Sequence, residues 1–492
     1  MKKFLLIIII LAPLFAASQT ESDILDFSTV IYQGTAKSAA MGNAMGAVGS
    51  DLSATTINPA GLGLFRKSSF VYTLGFESVG TNSKYMGNEA YDRNFKMPMN
   101  NIGLTWTEEI NDGALKTVSF GLGINRLNSF TFRSYVNGDN ANTSLIDAYL
   151  SEFYANGITN DYELESYSPN GIFPLWQTYL FDFYDDGSCD SPVPQGGLNQ
   201  QYGVSKRGNG KEFSLASGLN FNEKLFLGVS INVPYFDRNT TTEYKERNLY
   251  SGETFKNWSQ STTINNSGWG INAKIGAIVF PTKWLRLGAA FHTPYLYKIT
   301  ESWFTETYSS LSTGNFNYTS PTGTYSYTLT TPLRFNASAA LIFGNFGMIT
   351  GDYEYVDYSK MRVSSYDYSY NDLNNLIKDQ YTGTSNIRIG TEWRWQTLAF
   401  RAGYALYGSP FGFSKDDLKT TSYSCGFGYT YHKFTIDAAY VLSHRTNSYD
   451  LYSQYSLYPA YYGANNEFVD DTKVKETTNI NQVVISFKFR LD

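Results

Sequence analysis

Apolar and polar residues alternate one by one along much of this chain, most clearly near its C-terminal end. There the apolar positions are Val483, Ile485, Phe487, Phe489 and Leu491, and the residues between them are mostly polar. A strand with this period of two presents one face to lipid and the other to water. The pattern recurs roughly fourteen times toward the N-terminus and predicts an all-β fold, a transmembrane antiparallel β-barrel of about 14 strands.

Short turns alternate strictly with long connections between the predicted strands. Six tight turns are predicted, at Asn111-Asp112-Gly113, Asn222-Glu223-Lys224, Pro281-Thr282-Lys283, Gly344-Asn345, Gln396-Thr397 and His432-Lys433. Seven longer connections are predicted near residues 80–98, 133–201, 246–262, 304–322, 361–384, 409–419 and 447–474. This arrangement gives an even strand number and places both termini on the side of the short turns, which is periplasmic in such barrels.

The phase of the alternation assigns each strand residue to lipid or to the lumen. The lipid-facing set includes Phe120, Leu122, Ile124, Leu225, Leu227, Val229, Ile231, Val233, Phe434, Ile436, Ala438 and Tyr440. The inward set includes Gly121, Gly123, Asn125, Ser230, Asn232, Arg286, Arg334, Asn336, Asp352, Glu354, Arg388, Glu392, Arg394, Arg401, Asp437, Lys488 and Arg490. The predicted lumen is therefore polar and carries both signs of charge.

The N-terminal part of the chain lacks this alternation. Residues 1–18 have a basic start, an apolar segment and small residues before Gln19, which predicts a signal peptide and a mature chain that begins at Gln19. Residues 19–66 are rich in Ala, Gly, Ser and Met, and residues 67–492 form the predicted barrel, with notable loops at 133–201 and 361–384. A barrel this wide is either open or plugged, and we interpret residues 19–66 as a plug in the lumen rather than a disordered tail.

Composition excludes several classes of function. Charged residues make up 17% of the chain, and aromatic residues also make up 17%. The net charge is -6, and the sequence contains no basic run typical of nucleic-acid binding. The two cysteines, Cys189 and Cys425, and the three histidines are far apart and lack the spacing of metal ligands. We expect no nucleic acid, no metal and no cofactor.

Several motifs resemble those of one family of outer-membrane barrels. They are Met41-Gly42-Asn43-Ala44, Gly49-Ser50-Asp51, Asn58-Pro59-Ala60-Gly61-Leu62, Leu285-Arg286-Leu287-Gly288, Thr331-Pro332-Leu333-Arg334-Phe335, Asn386-Ile387-Arg388-Ile389-Gly390 and Phe400-Arg401-Ala402-Gly403-Tyr404. In this order they resemble the long-chain fatty-acid transporter (FadL-type) family over nearly the whole mature chain. The resemblance implies a plugged fourteen-stranded barrel that takes up hydrophobic molecules and releases them through a lateral gap in the wall.

The chain departs from that family in two respects. Its connection 133–201 is longer than expected for a typical member, and no kinked strand that would open a lateral gap is identifiable in the sequence. The roles of the loops, the lateral gap and the identity of the substrate therefore do not carry over from the resemblance.

Three groups of residues are candidates for a functional site. The predicted gate in the plug consists of Asp51, Asn58, Pro59, Ala60 and Gly61, for which a purely structural turn is the alternative. The predicted ligand-binding residues are Phe173, Leu175, Trp176, Tyr179, Phe181, Arg388 and Arg401. The apolar loop residues either form a capture groove or pack on a short helix around residues 145–153, and the arginines either hold a ligand carboxylate or pair with acidic residues and the plug.

The leading hypothesis is a passive outer-membrane channel of a Gram-negative bacterium for hydrophobic or amphipathic small molecules, fatty-acid-like or aromatic, gated by residues 19–66. A shuttle or receptor for exported proteins and a general porin are the alternatives. An enzyme is not expected, because His292 and His444 lie far apart in sequence. Outer-membrane lipid and the barrel-assembly machinery, which would engage the C-terminal strand, are the other expected partners.

Overall fold

The computed structural model describes residues 21–140, 142–250, 253–452 and 472–491. The predicted signal peptide 1–18 and the predicted start of the mature chain at Gln19 lie outside the described residues. Residues 453–471, which make up most of the predicted connection 447–474, lie outside them as well.

The wall of the barrel has fourteen positions, each filled by one strand or by two successive strands. These positions close into an antiparallel barrel, which confirms the predicted fold class. In chain order the strands are β1 (Ser69–Tyr85), β2 (Asn88–Lys96), β3 (Met99–Asp112), β4 (Leu115–Ser129), β5 (Phe132–Asn140), β6 (Asp182–Phe183), β7 (Cys189–Asp190), β8 (Leu198–Phe221), β9 (Leu225–Asn248), β10 (Phe255–Val279), β11 (Leu285–His292), β12 (Leu296–Leu311), β13 (Gly314–Thr319), β14 (Gly323–Thr330), β15 (Arg334–Phe343), β16 (Gly347–Asp357), β17 (Arg362–Ser364), β18 (Gly383–Trp395), β19 (Leu398–Tyr407), β20 (Thr420–Tyr431), β21 (Phe434–Asp450) and β22 (Lys473–Arg490). Strand β22 pairs with β1 from Ser69↔Arg490 to Lys84↔Lys475 and closes the ring.

Four wall positions are built from two successive strands each: β2 with β3, β4 with β5, β11 with β12, and β14 with β15. The four remaining short strands lie outside the ring, where β6 pairs with β7, β13 with β12, and β17 with β14. The positions in the wall thus follow one another in chain order from β1 to β22.

The helices lie in the N-terminal part and in the connections. They are α1 (Glu21–Ser28), α2 (Ala36–Ala40), α3 (Ala54–Ile57), α4 (Leu145–Asn156), α5 (Asp161–Tyr167), α6 (Phe173–Trp176) and α7 (Asn371–Gln380), with 3-10 helices at Pro59–Leu64 and Tyr358–Lys360. None of the helices in the described residues has both the length and the apolar character needed to cross a membrane, a criterion that concerns helices alone.

All six predicted tight turns join neighbouring wall strands, as between β8 and β9. Three predicted connections differ in the structure, because residues 80–98 form the β1–β2 hairpin, residues 246–262 belong mostly to β9 and β10, and residues 304–322 belong mostly to the β12–β13 hairpin. Strands β8, β9 and β10 contain 24, 24 and 25 residues, more than twice the roughly 10 needed to cross a bilayer. The outward face of their outer parts is mostly polar, while the inward face there carries buried residues such as Tyr244, Phe255 and Trp258. The apolar face that marks a membrane strand therefore ends before the strand does.

The exposed side chains follow the predicted phase. Phe120, Leu122 and Ile124 on β4 are exposed, and so are the five predicted lipid-facing residues of β9. Trp284, Trp393 and Trp395 are exposed near the short turns, as expected for an aromatic girdle at a bilayer interface. Buried polar residues, such as Asn232 and Glu354, occupy the inward positions.

Nearly all of the plug is buried inside the barrel. From residue 29 to residue 65 its only partly exposed positions are scattered singly, and none of the large side chains there is exposed. Its small residues pack against wall positions, as Ala36, Ala39 and Ala40 do against Ala439 and Val484. The interpretation of residues 19–66 as a plug is therefore supported for the described part.

Candidate functional site

The plug packs against glycines of the wall, at points where a larger side chain would leave no room for the plug. Gly218, Gly228 and Gly276 stand opposite one another on β8, β9 and β10. A Cβ added at Gly228 would lie 2.2 Å from the carbonyl carbon of Pro59, and one at Gly276 would lie 1.9 Å from Oδ1 of Asn58. Since interiors are close-packed and the Pro59 contact is to backbone, these glycines set the depth at which the plug sits.

Four of the predicted gate residues lie together at this seat: Asn58, Pro59, Ala60 and Gly61. Oδ1 of Asn58 accepts a hydrogen bond from the N–H of Ala60 at 3.1 Å. Nδ2 of Asn58 donates to the carbonyls of Gly46, at 2.7 Å, and Ala277, at 3.3 Å. Pro59 follows at the first helical position, where its fixed φ suits the backbone. Asn58 therefore joins two parts of the plug to wall strand β10.

Asp51, the fifth predicted gate residue, holds the plug together internally. Its carboxylate accepts hydrogen bonds from the hydroxyl of Thr35, at 2.9 Å, and from the N–H of Ser53, at 2.9 Å. A second wall contact comes from His292 on β11, whose Nε2 donates to the carbonyl of Ile57 at 3.0 Å. This bond uses His292 to position the plug.

Helix α1 fills an aromatic chamber in the half of the lumen nearest the long connections. The outer chamber is lined by Phe130, Phe236, Tyr295, Tyr297, Ile299, Tyr327, Leu329, Ile377 and Tyr381. Ile24, Leu25 and Phe27 of α1 are buried among these side chains, and Phe27 stacks on Phe236 with ring centroids 4.5 Å apart. An apolar ligand entering this chamber would have to displace α1.

The acidic face of α1 is bound to basic wall residues. Arg238 lies 2.7 Å from Asp23 and 3.5 Å from Asp26, and Lys206 lies 2.7 Å from Asp26. The guanidinium of Arg238 also lies 4.3 Å from the ring centroid of Phe27. Helix α1 is thus attached by both its apolar and its charged side chains.

The wall partners of α1 lie away from the tight turn that joins β8 and β9. Arg238 and Lys206 are in the middle third of β9 and β8. The C-terminal strand ends beside a tight turn, since the N–H of Arg490 donates to the carbonyl of Lys433 at 2.8 Å. The chain runs from the outer chamber down to the seat of the plug before it enters β1.

Arg388, a predicted ligand-binding residue, is fully buried in an ion-pair network of the lumen. It lies 3.5 Å from Glu354, which also binds Arg334 at 3.1 Å. The hydroxyl of Tyr32 in the plug donates to Glu354 at 2.9 Å, and Arg388 lies 5.0 Å from the centroid of the Tyr32 ring. This arrangement matches the alternative in which the inward charges pair with each other and with the plug.

Arg401, the other predicted arginine, belongs to a second network of the same kind. Its Nε donates to Glu392 at 2.6 Å, and its Nη1 donates to Asp437 at 2.6 Å. Lys37 of the plug lies 3.9 Å from the same Glu392. Both arginines therefore lie in networks that include a plug residue, and their binding of a ligand stays a prediction.

The apolar loop residues belong to a cap (residues 142–197) over the outer end of the barrel. Phe173, Leu175 and Phe181 are buried in its core with side chains of α4, whereas Tyr179 is 58% exposed and Trp176 is partly buried. The burial of Phe173, Leu175 and Phe181 fits the alternative in which the loop residues pack on the short helix. The capture of a ligand by the five loop residues stays a prediction.

A buried carboxylate fastens the cap to the wall. Glu246, near the outer end of β9, accepts hydrogen bonds from the hydroxyl of Ser144 at 2.7 Å and the N–H of Leu145 at 2.9 Å. It also accepts from Nε1 of Trp258 at 2.9 Å. Burial, and next the charge of Glu246, raise the pKa of Asp147 in the first turn of α4 to about 7. The start of α4 is therefore held by one acidic side chain of the wall.

The wall, as far as its residues are described, has a break in its backbone pairing that the sequence analysis did not locate. Strand β1 pairs with β3 from Ser69 to Leu74 and with β2 from Glu77 onward, and the two partners are separated by Met97 and Pro98. Among the described residues, no backbone ladder joins β2 to residues 126–140 on β4 and β5. The signal for this break was Pro98, which lacks the N–H that a ladder requires.

The plug covers the open edge of β4 at this break. Gln33 forms an isolated antiparallel bridge with Arg126, and the N–H of Ile31 donates to the carbonyl of Leu127 at 3.2 Å. Beside this contact lies a cavity of about 40 Å³, lined among others by Tyr32, Gln33 and Asn100. The closed structure therefore leaves only a small cavity beside this contact.

The fold and these features define a class: a membrane barrel of fourteen strands whose lumen is closed by its own N-terminal segment. Solved structures of the same fold include a FadL homologue of Pseudomonas aeruginosa, with a TM-score of 0.58, 13% identity, and coverage of 94% of this chain and 100% of the other. The toluene transporters TbuX of Ralstonia pickettii and TodX of Pseudomonas putida each give a TM-score of 0.52. They are 16% and 14% identical, and the alignments cover 94% of this chain and 99% and 100% of theirs. No family profile and no curated protein sequence matches this chain.

Two further features were missed in the sequence although signals for them existed. Helix α1 combines Asp23 and Asp26 with Ile24, Leu25 and Phe27, an amphipathic pattern that a search for strand alternation passes over. Inward glycines were noted only at Gly121 and Gly123, whereas Gly218 and Gly228 closely approach the plug backbone and Gly276 closely approaches the side chain of Asn58. Both features concern the plug and its contacts.

Proposed function

We propose that this protein is a passive channel of a Gram-negative outer membrane that takes up hydrophobic or amphipathic small molecules. The observation that carries the proposal is the combination of a lumen closed by the plug with a break in the wall directly beside it. A plugged lumen does not suit the free diffusion of ions and sugars, whereas a break in the wall gives an apolar molecule access to lipid. The transport of toluene named for two structures of the same fold supports this class of ligand.

The residues predicted as a gate fit this function through their contacts. Asn58 to Gly61 hold the plug at the seat, and Asp51 preserves its internal shape. Displacement of this segment, together with residues 31–33, would expose the edge of β4 and enlarge the cavity beside it. The apolar cap residues, including the exposed Tyr179, would provide the first contact for a ligand, and Arg388 and Arg401 would meet its polar end once the plug has moved.

The orientation and the partners follow from the same scheme. The short turns and the end of β22 face the periplasm, and the cap faces the outside, as is usual for bacterial barrels. The last strand would be the segment bound by the barrel-assembly machinery, and its Phe487 and Phe489 would contact outer-membrane lipid. Residues 1–18 would be removed on export.

Uptake by cells tests the proposal. We would express the protein in a Gram-negative host that lacks its own transporter of this fold and measure the initial uptake of radiolabelled oleate and radiolabelled toluene. Faster uptake of at least one probe than in cells with the empty vector is expected. Equal rates for both probes, with the protein present and folded in the outer membrane, would refute the proposed function.

A further inference from the structure

Side chains alone cross the break between β2 and β4. Glu77 on β1 is 2% exposed, and its two carboxylate oxygens bind cations on different strands. Nη1 of Arg126 on β4 lies 3.0 Å from one oxygen, and Nζ of Lys96 at the end of β2 lies 3.2 Å from the other. Lys96 also donates to the hydroxyls of Ser129 and of Thr131, the latter at 2.7 Å.

These contacts connect on one side to the cavity beside the plug. Asn100, which lines the cavity, accepts a hydrogen bond from Arg126 at 3.4 Å. On the other side of the break, Phe95 and Met97 are 66% and 63% exposed and offer an apolar surface to lipid. A molecule that leaves the cavity through this break would pass Arg126, Glu77 and Lys96.

We propose that Glu77, Arg126 and Lys96 form a charge latch that keeps the wall break closed, and that Lys96 is its moving part. This inference rests on the proposed function, since it assigns a role to the break in passage to lipid. Glu77 and Arg126 balance each other's charge and are both buried, so they form a fixed base. Lys96 is the additional cation, its side chain is 17% exposed, and its long stem lets the ammonium leave for water.

Replacing Lys96 by an uncharged residue of similar length tests the latch. Lys96→Met leaves the Glu77–Arg126 pair balanced, so no buried charge loses its last partner. We expect the initial uptake of the transported probe, oleate or toluene, to rise roughly fivefold, which corresponds to about 1 kcal/mol for a partly exposed ion pair. Lys96→Arg should restore a rate near that of the wild type, and Lys96→Gln serves as a second neutral variant if the Met variant fails to insert.

Lys84→Met is the matched control, since it removes the same charge from the same hairpin. Lys84 pairs with Glu89 at 3.6 Å, and both side chains are well exposed at the tip of the hairpin, away from Arg126. Uptake through this variant should equal that of the wild type. An equal rise in the Lys84→Met and Lys96→Met variants, or no rise in either neutral Lys96 variant, would overturn the latch.

A reversible cross-link separates an effect at the break from a general loosening of the wall. The hydroxyls of Ser83 on β1 and Ser134 on β5 are 3.0 Å apart although their strands share no backbone ladder, so Ser83→Cys with Ser134→Cys can form a disulfide across the break. Oxidation should abolish the gain of Lys96→Met, and dithiothreitol should restore it, in a background with Cys189→Ala and Cys425→Ala. The control pair Thr107→Cys with Ser119→Cys, whose hydroxyls are 2.9 Å apart on the paired strands β3 and β4, should have no effect.

The outcomes distinguish the latch from the proposed function. If the wild type transports neither probe, the proposed function fails. If the wild type transports a probe but the oxidised Ser83→Cys with Ser134→Cys pair leaves the gain of Lys96→Met intact, the latch fails and the proposed function stands.

Discussion

At the scale of single residues, Gly276 and Asn58 show how the wall and the plug determine each other. Asn58 makes three hydrogen bonds, and its Oδ1 occupies the place that a Cβ at Gly276 would need. A buried hydrogen bond contributes about 1 kcal/mol net, and an unsatisfied buried amide costs more. The wall glycine and the plug asparagine therefore work as a pair, and neither can change alone without loosening the seat.

Gly276→Ala is expected to dislodge the plug. The added methyl group would overlap Oδ1 of Asn58, and overpacking of this kind costs about 1–3 kcal/mol. Cells that produce the variant should become more sensitive to a large polar antibiotic that the outer membrane normally excludes. Gly351→Ala on β16 is the control, because the nearest atom to its added Cβ is 3.8 Å away, and sensitivity should not change there. Equal sensitivity of the two variants would contradict the role of Gly276.

The carboxyl groups of the cap predict a dependence on pH. Burial raises the pKa of Asp147 and of Glu152 to about 7 from the ordinary 3.8 and 4.5. At a pH between the ordinary pKa values and about 7, the folded cap binds more protons than the unfolded cap. The free energy of unfolding of the cap therefore falls as the pH rises through this range. Hydrogen exchange in α4, corrected for the intrinsic rate, should be faster at pH about 8 than at pH about 5.

The double variant Asp147→Asn with Glu152→Gln tests the origin of that dependence. Neutral amides imitate the protonated acids, so exchange in α4 should lose most of its corrected pH dependence. If the dependence persists undiminished in the double variant, these two carboxyl groups are not its source.

At the scale of elements, α1 occupies the space that a ligand would need. Its apolar side chains fill the outer chamber, and Arg238 and Lys206 hold its two aspartates. The helix has only eight residues, too few to be stable alone in water, so its structure depends on these contacts.

Deletion of residues 21–28 is expected to open the outer chamber. Loss of Ile24, Leu25 and Phe27 leaves aromatic wall residues without their partners, and an apolar molecule can replace them. The purified deletion variant should bind the fluorescent probe 1-N-phenylnaphthylamine more tightly than the wild type. Phe27→Ala, which creates only part of that space, should give a smaller increase. Identical binding by the three proteins would show that α1 does not limit access.

The elements also show which parts of the structure could be predicted from the sequence. Alternation is a local property of the wall strands, so the fold class, the six tight turns and the lipid-facing residues were predicted correctly. The outer parts of β8 to β10 were missed because their outward face is mostly polar. The break at Pro98 and the position of α1 depend on pairings between distant residues, such as Gln33 with Arg126, that a single sequence does not display.

The same distinction holds for the candidate residues. Asn58 to Gly61 were found through a motif, and the structure places them at the plug seat. For Arg388 and Arg401 the sequence identified inward charges but not their partners, because Glu354, Glu392 and Asp437 lie on other strands. Glu77 and Lys96 were not singled out, since their significance depends on the break.

At the scale of the whole molecule, the barrel combines a wall of fourteen strand positions with a lumen that its own chain fills. A wall of this size without a plug would enclose an aqueous channel. Four kinds of contact hold the N-terminal segment in place. They are the glycine seat, the hydrogen bond from Tyr32 to Glu354, the ion pair of Lys37 with Glu392, and the bridge between Gln33 and Arg126. Closure of the lumen by residues 21–66 is therefore the claim on which the channel, its gate and its exit all depend.

Ion conductance in a planar lipid bilayer tests this claim most directly. The wild-type protein should show little steady current, whereas a variant that lacks residues 21–66 should show large, stable steps at the same voltage. A large steady current through the folded wild-type protein, equal to that of the deletion variant, would contradict the closed barrel.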